Sequence, residues 1–166
     1  MPGKYYFERF NRADFTVCMW FIDTQKFTES QRSWLDNSIS DEKSECTWKV
    51  VNGHHPGSIH GSLVGSGKIG KVLEPILERH DVDIYICGHH HNNQHFTNLP
   101  YKLNVFVVGQ VSLDHPVSGD TKKGQFIWGT NDEPAILALT FKSTEVQFSF
   151  HGGLTNAESH SGSILA

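Results

Sequence analysis

Apolar residues in the first half of the chain are concentrated in short strand-like segments that alternate with helical patterns. Strand-like runs cover residues 5–10, 15–23, 48–51 and 83–87. Thr28 and Gln31 have the spacing of a capping box, which predicts the start of a helix. A second helix is predicted by one apolar stripe, made of Ile69, Val72, Leu73, Ile76 and Leu77, with Pro75 marking its first turn or a kink. Strands that alternate with helices indicate an α/β fold with parallel strands.

The second half of the chain has strand patterns without helices. Residues 104–108, 135–141 and 146–150 carry apolar side chains at alternate or continuous positions, and residues 142–144 form a short turn. This pattern predicts an antiparallel end to the sheet. Residues 114–134 are rich in glycine, aspartate, lysine and proline and predict a long surface loop, and the residues from 152 onward predict an extended tail. Residues 1–166 are predicted to form one domain, without repeats or linkers.

Two histidine clusters follow two of the apolar runs directly. Asn52-Gly53-His54-His55-Pro56 follows the run at 48–51, and Gly88-His89-His90-His91 follows the run at 83–87. Ligands in open α/β sheets lie just beyond the carboxyl ends of strands. A glycine before each cluster is expected to allow a tight turn, and His89 and His91 would project to one side if their segment stays extended. The pattern predicts a metal site.

The other histidines have a simpler interpretation. The chain contains 11 histidines in 166 residues, so some clustering arises by chance. A lone histidine is usually a surface or partly buried residue. We expect this for five of them, His80, His95, His115, His151 and His160.

The two clusters resemble the fourth and fifth motifs of the calcineurin-like metallophosphoesterases, and most closely those of the small purple, or tartrate-resistant, acid phosphatases. The second motif continues through residues 92–94 as Asn-Asn-Gln. The resemblance implies part of a four-layer αββα sandwich, with a mixed sheet and an antiparallel carboxyl-terminal portion. The upstream motifs of the family, which supply aspartate, asparagine and tyrosine ligands, are not found, and the single Gly-Asp pair is Gly119-Asp120. The resemblance therefore implies that the chain corresponds to the carboxyl-terminal half of a metallophosphoesterase domain.

The resemblance also implies a function and its residues. It implies phosphomonoester hydrolysis at a binuclear metal centre, of iron with zinc, manganese or a second iron, which is incomplete in this chain. His54 and His89 would bind one ion, and His91 would bind the ferric one. His60, followed by a glycine, would approach the phosphate and the leaving group, unless it is a solvated loop residue. His55 and His90 are expected to pack beside the ligands rather than bind metal.

Two other classes of function stay open. The chain could be a non-catalytic structural or binding component that keeps part of a phosphatase fold, or its three histidines could form a structural zinc site, for which a fourth ligand is not evident. In the first case, as in a truncated enzyme, an exposed sheet face would be covered by a missing amino-terminal half or by a protein partner.

Composition restricts partners and location. The net charge of −4 and the lack of a basic run argue against a nucleic-acid surface, and no apolar stretch is long enough to span a membrane. The resemblance implies a secreted, endomembrane or lysosomal protein. The three cysteines, Cys18, Cys46 and Cys87, allow at most one internal disulfide, and three buried thiols are the favoured interpretation.

Overall fold

The computed structural model describes residues 3–57, 67–98, 102–110, 117 and 125–166. The strands are β1 (Tyr6–Asn11), β2 (Thr16–Phe21), β3 (Trp48–Asn52), β4 (Ile84–Cys87), β5 (Asn93–Asn98), β6 (Leu103–Val108), β7 (Gln125–Thr130), β8 (Ala135–Phe141), β9 (Glu145–Gly152) and β10 (Glu158–Leu165). The helices are α1 (Glu29–Glu42) and α2 (Gly67–Arg79). Neither helix, within the residues described, has the length and apolarity needed to span a membrane.

The larger sheet has seven strands in the order β1-β2-β3-β4-β6-β5-β7. Its centre, β2-β3-β4-β6, is parallel, as the alternation of strands and helices predicted. β1 pairs antiparallel with β2, and β5 and β7 are antiparallel at the other end. Because β3 and β4 are parallel neighbours, the loops that follow them emerge side by side at one edge of the sheet.

The large sheet lies between a layer of helices and a second, three-stranded antiparallel sheet, β10-β9-β8. On one face, Trp20 and Val51 pack with Leu35 of α1 and Leu73 of α2. On the other, a core that includes Trp48 and side chains of β9 fills the space between the two sheets. These helix, sheet and sheet layers confirm the predicted α/β fold of the metallophosphoesterase type.

Helix α1 begins at the predicted capping residue, with one difference from a complete capping box. The Thr28 hydroxyl accepts a hydrogen bond of 3.3 Å from the backbone N–H of Gln31, which caps α1. The second bond of a capping box is not made, because the buried Gln31 amide turns back to the preceding loop. It accepts from the N–H of Asp23 at 2.7 Å and donates to the carbonyls of Asp23 and Lys26, each at 3.1 Å. Gln31 thereby fixes the turn between β2 and α1.

The second helix buries its predicted stripe. Leu73, Ile76 and Leu77 lie in the core, and Ile69 packs against it. Pro75 lies inside α2 rather than in its first turn.

Three strands differ from the sequence prediction. β7 lies inside the predicted 114–134 loop, β10 replaces the predicted extended tail, and β5 had no predicted strand. Their sequences, QFIWGT, ESHSGSIL and NQHFTN, contain many polar residues and lack a regular apolar alternation. They become strands because neighbouring strands satisfy their backbone groups: β10 pairs with β9, and β5 lies between β6 and β7.

The prediction of three thiols is wrong. Cys18 of β2 and Cys46 form a disulfide, with their Cα atoms 5.6 Å apart. Cys46 lies just before β3, and the N–H of Thr47 donates to the carbonyl of Thr16, so the pairing of β2 with β3 brings the two cysteines together. Cys87 is a buried free cysteine, as predicted.

Candidate metal centre

His54 and His89 meet at the edge of the large sheet, each two residues beyond the end of its strand. The N–H of Gly88 donates to the carbonyl of His54 at 3.0 Å and joins the two loops. His54 Nε2 and His89 Nδ1 lie 3.3 Å apart. Two nitrogens bound to one tetrahedral zinc at about 2.0 to 2.1 Å are separated by about 3.3 to 3.4 Å. The pair shares a hydrogen bond at this distance, and the same spacing fits two ligands of a single ion.

Neither glycine that precedes a histidine cluster makes the tight turn that the sequence predicted. A Cβ on Gly53 would lie 2.5 Å from Tyr85 Oη, so this position requires a glycine for space. A Cβ on Gly88 would meet only ordinary contacts at 3.7 Å or more. The left-handed turn is made by His89 itself, with φ of 67°. Such a conformation costs a non-glycine residue about 1 to 3 kcal/mol and is often found at functional sites.

The segment that carries His89 and His91 is not extended. The N–H of His90 donates to the carbonyl of Gly88, and the N–H of Asn92 donates to the carbonyl of His90, each at 2.8 Å. These short turns remove the alternation that would have projected the two histidines to one side.

His55 is the third ring at the site. One ring nitrogen from each of His54, His55 and His89 lies within 4.8 Å of the other two. The His55 ring centroid is 4.8 Å from that of His54 and 4.4 Å from that of His89. Burial lowers the pKa of His55, and the nearby His54 lowers it further, while Asp23 partly opposes this. The neutral imidazole that results is the form that binds metal ions.

Thr24 and Tyr85 hold His55 in place from behind. The Thr24 hydroxyl oxygen accepts from the backbone N–H of His54 at 3.1 Å and of His55 at 2.9 Å. It also shares a 2.9 Å hydrogen bond with His55 Nδ1, and Tyr85 Oη donates to the His55 carbonyl at 2.6 Å. Sequence reasoning missed Thr24 and Tyr85. Thr24 follows β2, the neighbour of β3, so the rule that placed the histidines at strand ends would also have found it.

The other predicted site residues lie elsewhere or outside the described residues. His91 is half-buried and is not a member of the three-histidine group. His90 is buried, with its ring centroid 5.9 Å from that of His89. His60 lies outside the described residues. Among the residues that the structure describes, the group that could hold an ion contains no carboxylate.

A buried polar layer supports the second loop. Gln94 Nε2 donates to Asn92 Oδ1 at 2.6 Å, and the N–H of Gly109 donates to the Asn92 carbonyl at 3.2 Å. A Cβ on Gly109 would lie 2.0 Å from the carbonyl oxygen of His90, so the end of β6 can approach this loop only with a glycine there. The loop that carries His89 is therefore held by the sheet rather than by solvent.

The chain is similar to known proteins in both sequence and fold. The family model for calcineurin-like phosphoesterase matches residues 6–93, more than half of the chain. Purple acid phosphatase 17 of Arabidopsis thaliana is 35% identical over 162 residues, which cover 81% of this chain and 47% of that protein. The chain thus spans about half of this relative's length.

Two solved structures are similar in fold. GAP50, described as the anchor in the inner membrane complex of Plasmodium, superposes with a TM-score of 0.83 at 19% identity, covering 99% of this chain and 55% of that one. The purple acid phosphatase PPD1 from yellow lupin superposes with a TM-score of 0.70 at 16% identity, covering 96% and 32%. With the match to the family model, these likenesses confirm the resemblance stated from the sequence, and the chain belongs to the calcineurin-like phosphoesterase family.

Proposed function

We propose that the full-length protein hydrolyses phosphomonoesters in a metal-dependent reaction. This is the activity that the name of its purple acid phosphatase relatives describes. The observation that carries the proposal is the 3.3 Å separation of His54 Nε2 and His89 Nδ1 at the carboxyl edge of the parallel strands. The two rings meet because their loops emerge side by side from the parallel strands β3 and β4 and are joined by the backbone hydrogen bond from Gly88 to His54.

The proposed centre is binuclear, with iron and a second ion that is zinc, manganese or iron. His54 and His89 bind one ion, and His91 binds the other. Metal ions at such a centre bind phosphoryl oxygens and lower the pKa of a bound water. The histidines of this chain contribute neutral nitrogen ligands, and His60 donates a proton to the leaving oxygen.

The described residues provide part of this centre only. Nitrogen ligands suit zinc or iron, but no carboxylate joins them here, and a bridging carboxylate keeps two cations from repelling each other. We propose that an amino-terminal segment of a longer protein, or a protein partner, supplies the remaining ligands and covers an exposed face of the sheet.

Phosphatase assays on two forms of the protein test this function. We expect the 166-residue chain alone to show negligible turnover of p-nitrophenyl phosphate and poor solubility, whereas the full-length protein should hydrolyse it and lose activity on chelation. Metal-dependent turnover by the short chain would contradict the need for further ligands. A metal-loaded full-length protein without phosphatase activity would contradict the proposed function itself.

Metal content tests the ligand assignment separately. In the full-length protein, His54→Ala, His89→Ala and His91→Ala should each reduce bound zinc, iron or manganese. His151→Ala is the matched control, because His151 lies on β9 and bonds to Ser149 at 2.8 Å, away from the cluster. Equal metal content in all four variants would refute the assignment.

A non-catalytic structural component is the second candidate function. The observation that favours it is the lack of a carboxylate in the histidine group of the described residues. The description of GAP50 as an anchor is one instance of this fold in a protein not described as an enzyme. A full-length sequence that lacks the aspartate and asparagine motifs would favour this candidate over the enzyme.

A further inference from the structure

We propose that His95 and His160 form an acid-sensitive switch between the two sheets. The pair keeps β10 on the large sheet when it carries no added proton or one, and it releases β10 when a second proton binds. His95 lies on β5 of the large sheet and His160 on β10 of the small one. The pair is outside the candidate metal centre, and the inference does not rest on the proposed phosphatase activity.

β10 depends on this pair at one of its ends. It is an edge strand that pairs with β9, and the pairing is irregular between Glu158 and His160, where a register shift disrupts the ladder. Gly162 has no side chain that could contact the large sheet, and Ile164 holds the far end of the strand in the core between the sheets. His160 therefore attaches β10 where its backbone pairing is weakest.

Asn104 fixes which ring donates and which accepts. The Asn104 amide nitrogen donates to the carbonyl of Lys102, so its oxygen lies 3.0 Å from His95 Nε2 and accepts the proton that this nitrogen carries. Nδ1 of the neutral His95 ring then has no proton and accepts from His160 Nε2–H at 3.1 Å. His95 is buried, so solvent does not replace either partner. The pair is held as one acceptor, His95, and one donor, His160.

A first proton can be added without breaking this bond. His160 is half-buried, and the bond to His95 leaves its Nδ1 unused. When Nδ1 takes up a proton, Nε2–H still donates to His95, and the hydrogen bond becomes charge-assisted. The His160 ring also stacks on Trp128, with centroids 4.8 Å apart and planes 10° apart, close enough for an aromatic face to attract a cation. One added proton therefore leaves β10 attached.

A second proton has to bind to His95 Nδ1, and it breaks the bond. Both facing nitrogens then carry a proton, so neither can accept, and two positive rings face each other across 3.1 Å. Burial lowers the pKa of His95 to about 4, and the neighbouring His160 lowers it as well, so this second step takes place in acid.

The surroundings of the pair do not neutralise the second charge. The side chains that pack on the two rings are neutral: Asn104, Phe106, Trp128, Phe148 and Phe150. Within the described part of the chain, His160 is the ionisable group whose charge acts on His95. The carboxylate of Glu158, on the same strand as His160, accepts from the Ser161 hydroxyl at 2.7 Å. The repulsion is therefore relieved by movement of the half-buried His160, and of β10 with it, into solvent.

Amide hydrogen exchange of the 166-residue chain, measured from neutral pH into acid, tests the inference. The protection of β10 is compared with that of the central strand β6, after correction for the intrinsic exchange rate at each pH. Proton uptake by His160, followed by the ¹⁵N shifts of its ring, should leave the protection of β10 unchanged. At the second step β10 should lose its protection, while β6 stays protected because the rest of the chain remains folded.

Two glutamine variants separate the switch from the simple burial of a charge. A glutamine amide can turn to present either its N–H or its oxygen, so it can bond to the remaining histidine whether or not that ring is protonated. His95→Gln and His160→Gln should therefore both move the release of β10 to a pH lower by about one unit or more, the size expected for a retained hydrogen bond to a charged group. His151→Gln, on β9 and bonded to Ser149, is the matched control and should release β10 as the wild type does.

Three results would overturn the inference. It fails if β10 loses protection when His160 takes up the first proton, or if β10 and β6 lose protection together. It also fails if His160→Gln releases β10 at the wild-type pH, because release would then follow from charging the buried His95 alone. Circular dichroism at neutral pH checks that each variant is folded, and asparagine, which carries the same amide, replaces glutamine in one that is not. None of these measurements involves a metal ion or phosphatase activity, so failure here is distinguishable from failure of the proposed function.

Discussion

His95 on β5 and His160 on β10 share a 3.1 Å hydrogen bond that joins the large sheet to the small one. The Asn104 amide sets the direction of this bond. Its nitrogen donates to the carbonyl of Lys102 at 3.1 Å, so its oxygen faces His95 Nε2 at 3.0 Å and must accept a proton from it. Nδ1 of the neutral His95 ring is then the acceptor for His160 Nε2–H. The His95 ring is buried and stacks on Phe106, with 4.5 Å between centroids, so bulk solvent cannot reach a charge on it.

This arrangement predicts loss of stability in acid. Burial lowers the pKa of His95 from 6.5 to about 4. Since the unfolded chain takes up the proton first, the contribution of His95 to folding is fully present above pH 6.5 and is lost as the pH falls towards 4. At about 1.4 kcal/mol for each unit of pKa, the free energy of unfolding should fall by about 3 kcal/mol over this range. Urea unfolding at a series of pH values measures the fall.

His95→Gln removes the titrating group and identifies the source of this effect. The variant should be less stable than the wild type near neutral pH but should lose less stability between pH 6.5 and 4. His151→Gln, on a histidine of the same small sheet as His160, should keep the wild-type slope. An unchanged slope in His95→Gln would exclude His95 as its origin.

The strands and candidate site residues that the sequence predicted are those specified by local pattern. β4 is a continuous apolar run, and β3 is apolar at Trp48, Val50 and Val51, so the positions of both strands and of the histidines after them could be predicted from the sequence. β5 and β10 are polar and become strands only through their neighbours. Periodicity therefore could not identify them.

The part of the site that was missed depends on tertiary contacts. The strand-end rule points to Thr24 as a residue of this edge, but its hydrogen bond to His55 follows from the pairing of β2 with β3, which the sequence does not specify residue by residue. Likewise, the turn at His89 depends on a left-handed conformation that glycine, and not histidine, usually indicates. Sequence identified the loops, and the structure identified which rings meet.

The disulfide between Cys18 and Cys46 gives a prediction about thiols. Alkylation of the denatured chain without reduction should label only Cys87, and all three cysteines after reduction. Because 28 residues separate the bonded pair, replacing both cysteines with alanine should cost about 3 to 4 kcal/mol of stability in the chain-entropy model. Cys87→Ala is the control that keeps the bond. Three labelled cysteines without reduction would contradict the disulfide, which is expected to form in an oxidising compartment.

Gln31 links the stability of α1 to the candidate metal centre. Gln31→Met removes the amide that bonds to Asp23 and Lys26 but keeps a side chain of similar length. The backbone groups left without partners should cost about 3 kcal/mol of unfolding free energy. Because the same turn carries Thr24, zinc affinity should also fall. Ser33→Met, at an exposed position of the same helix, is the control for both measurements. Equal losses in the two variants would show that the amide does not hold the turn.

The last prediction concerns His60 in the full-length protein. If His60 donates a proton to the leaving oxygen, His60→Ala should slow hydrolysis of an alkyl phosphate by about 10² to 10⁴ and of p-nitrophenyl phosphate far less, because only the poor leaving group needs the proton in the transition state. Metal content should stay normal, which separates this role from ligation, and His151→Ala should leave both rates unchanged. A uniform loss for both substrates would indicate phosphate binding instead. If neither rate changed, His60 would be a solvated loop residue, and the proton for the leaving oxygen would have to come from another group or from water.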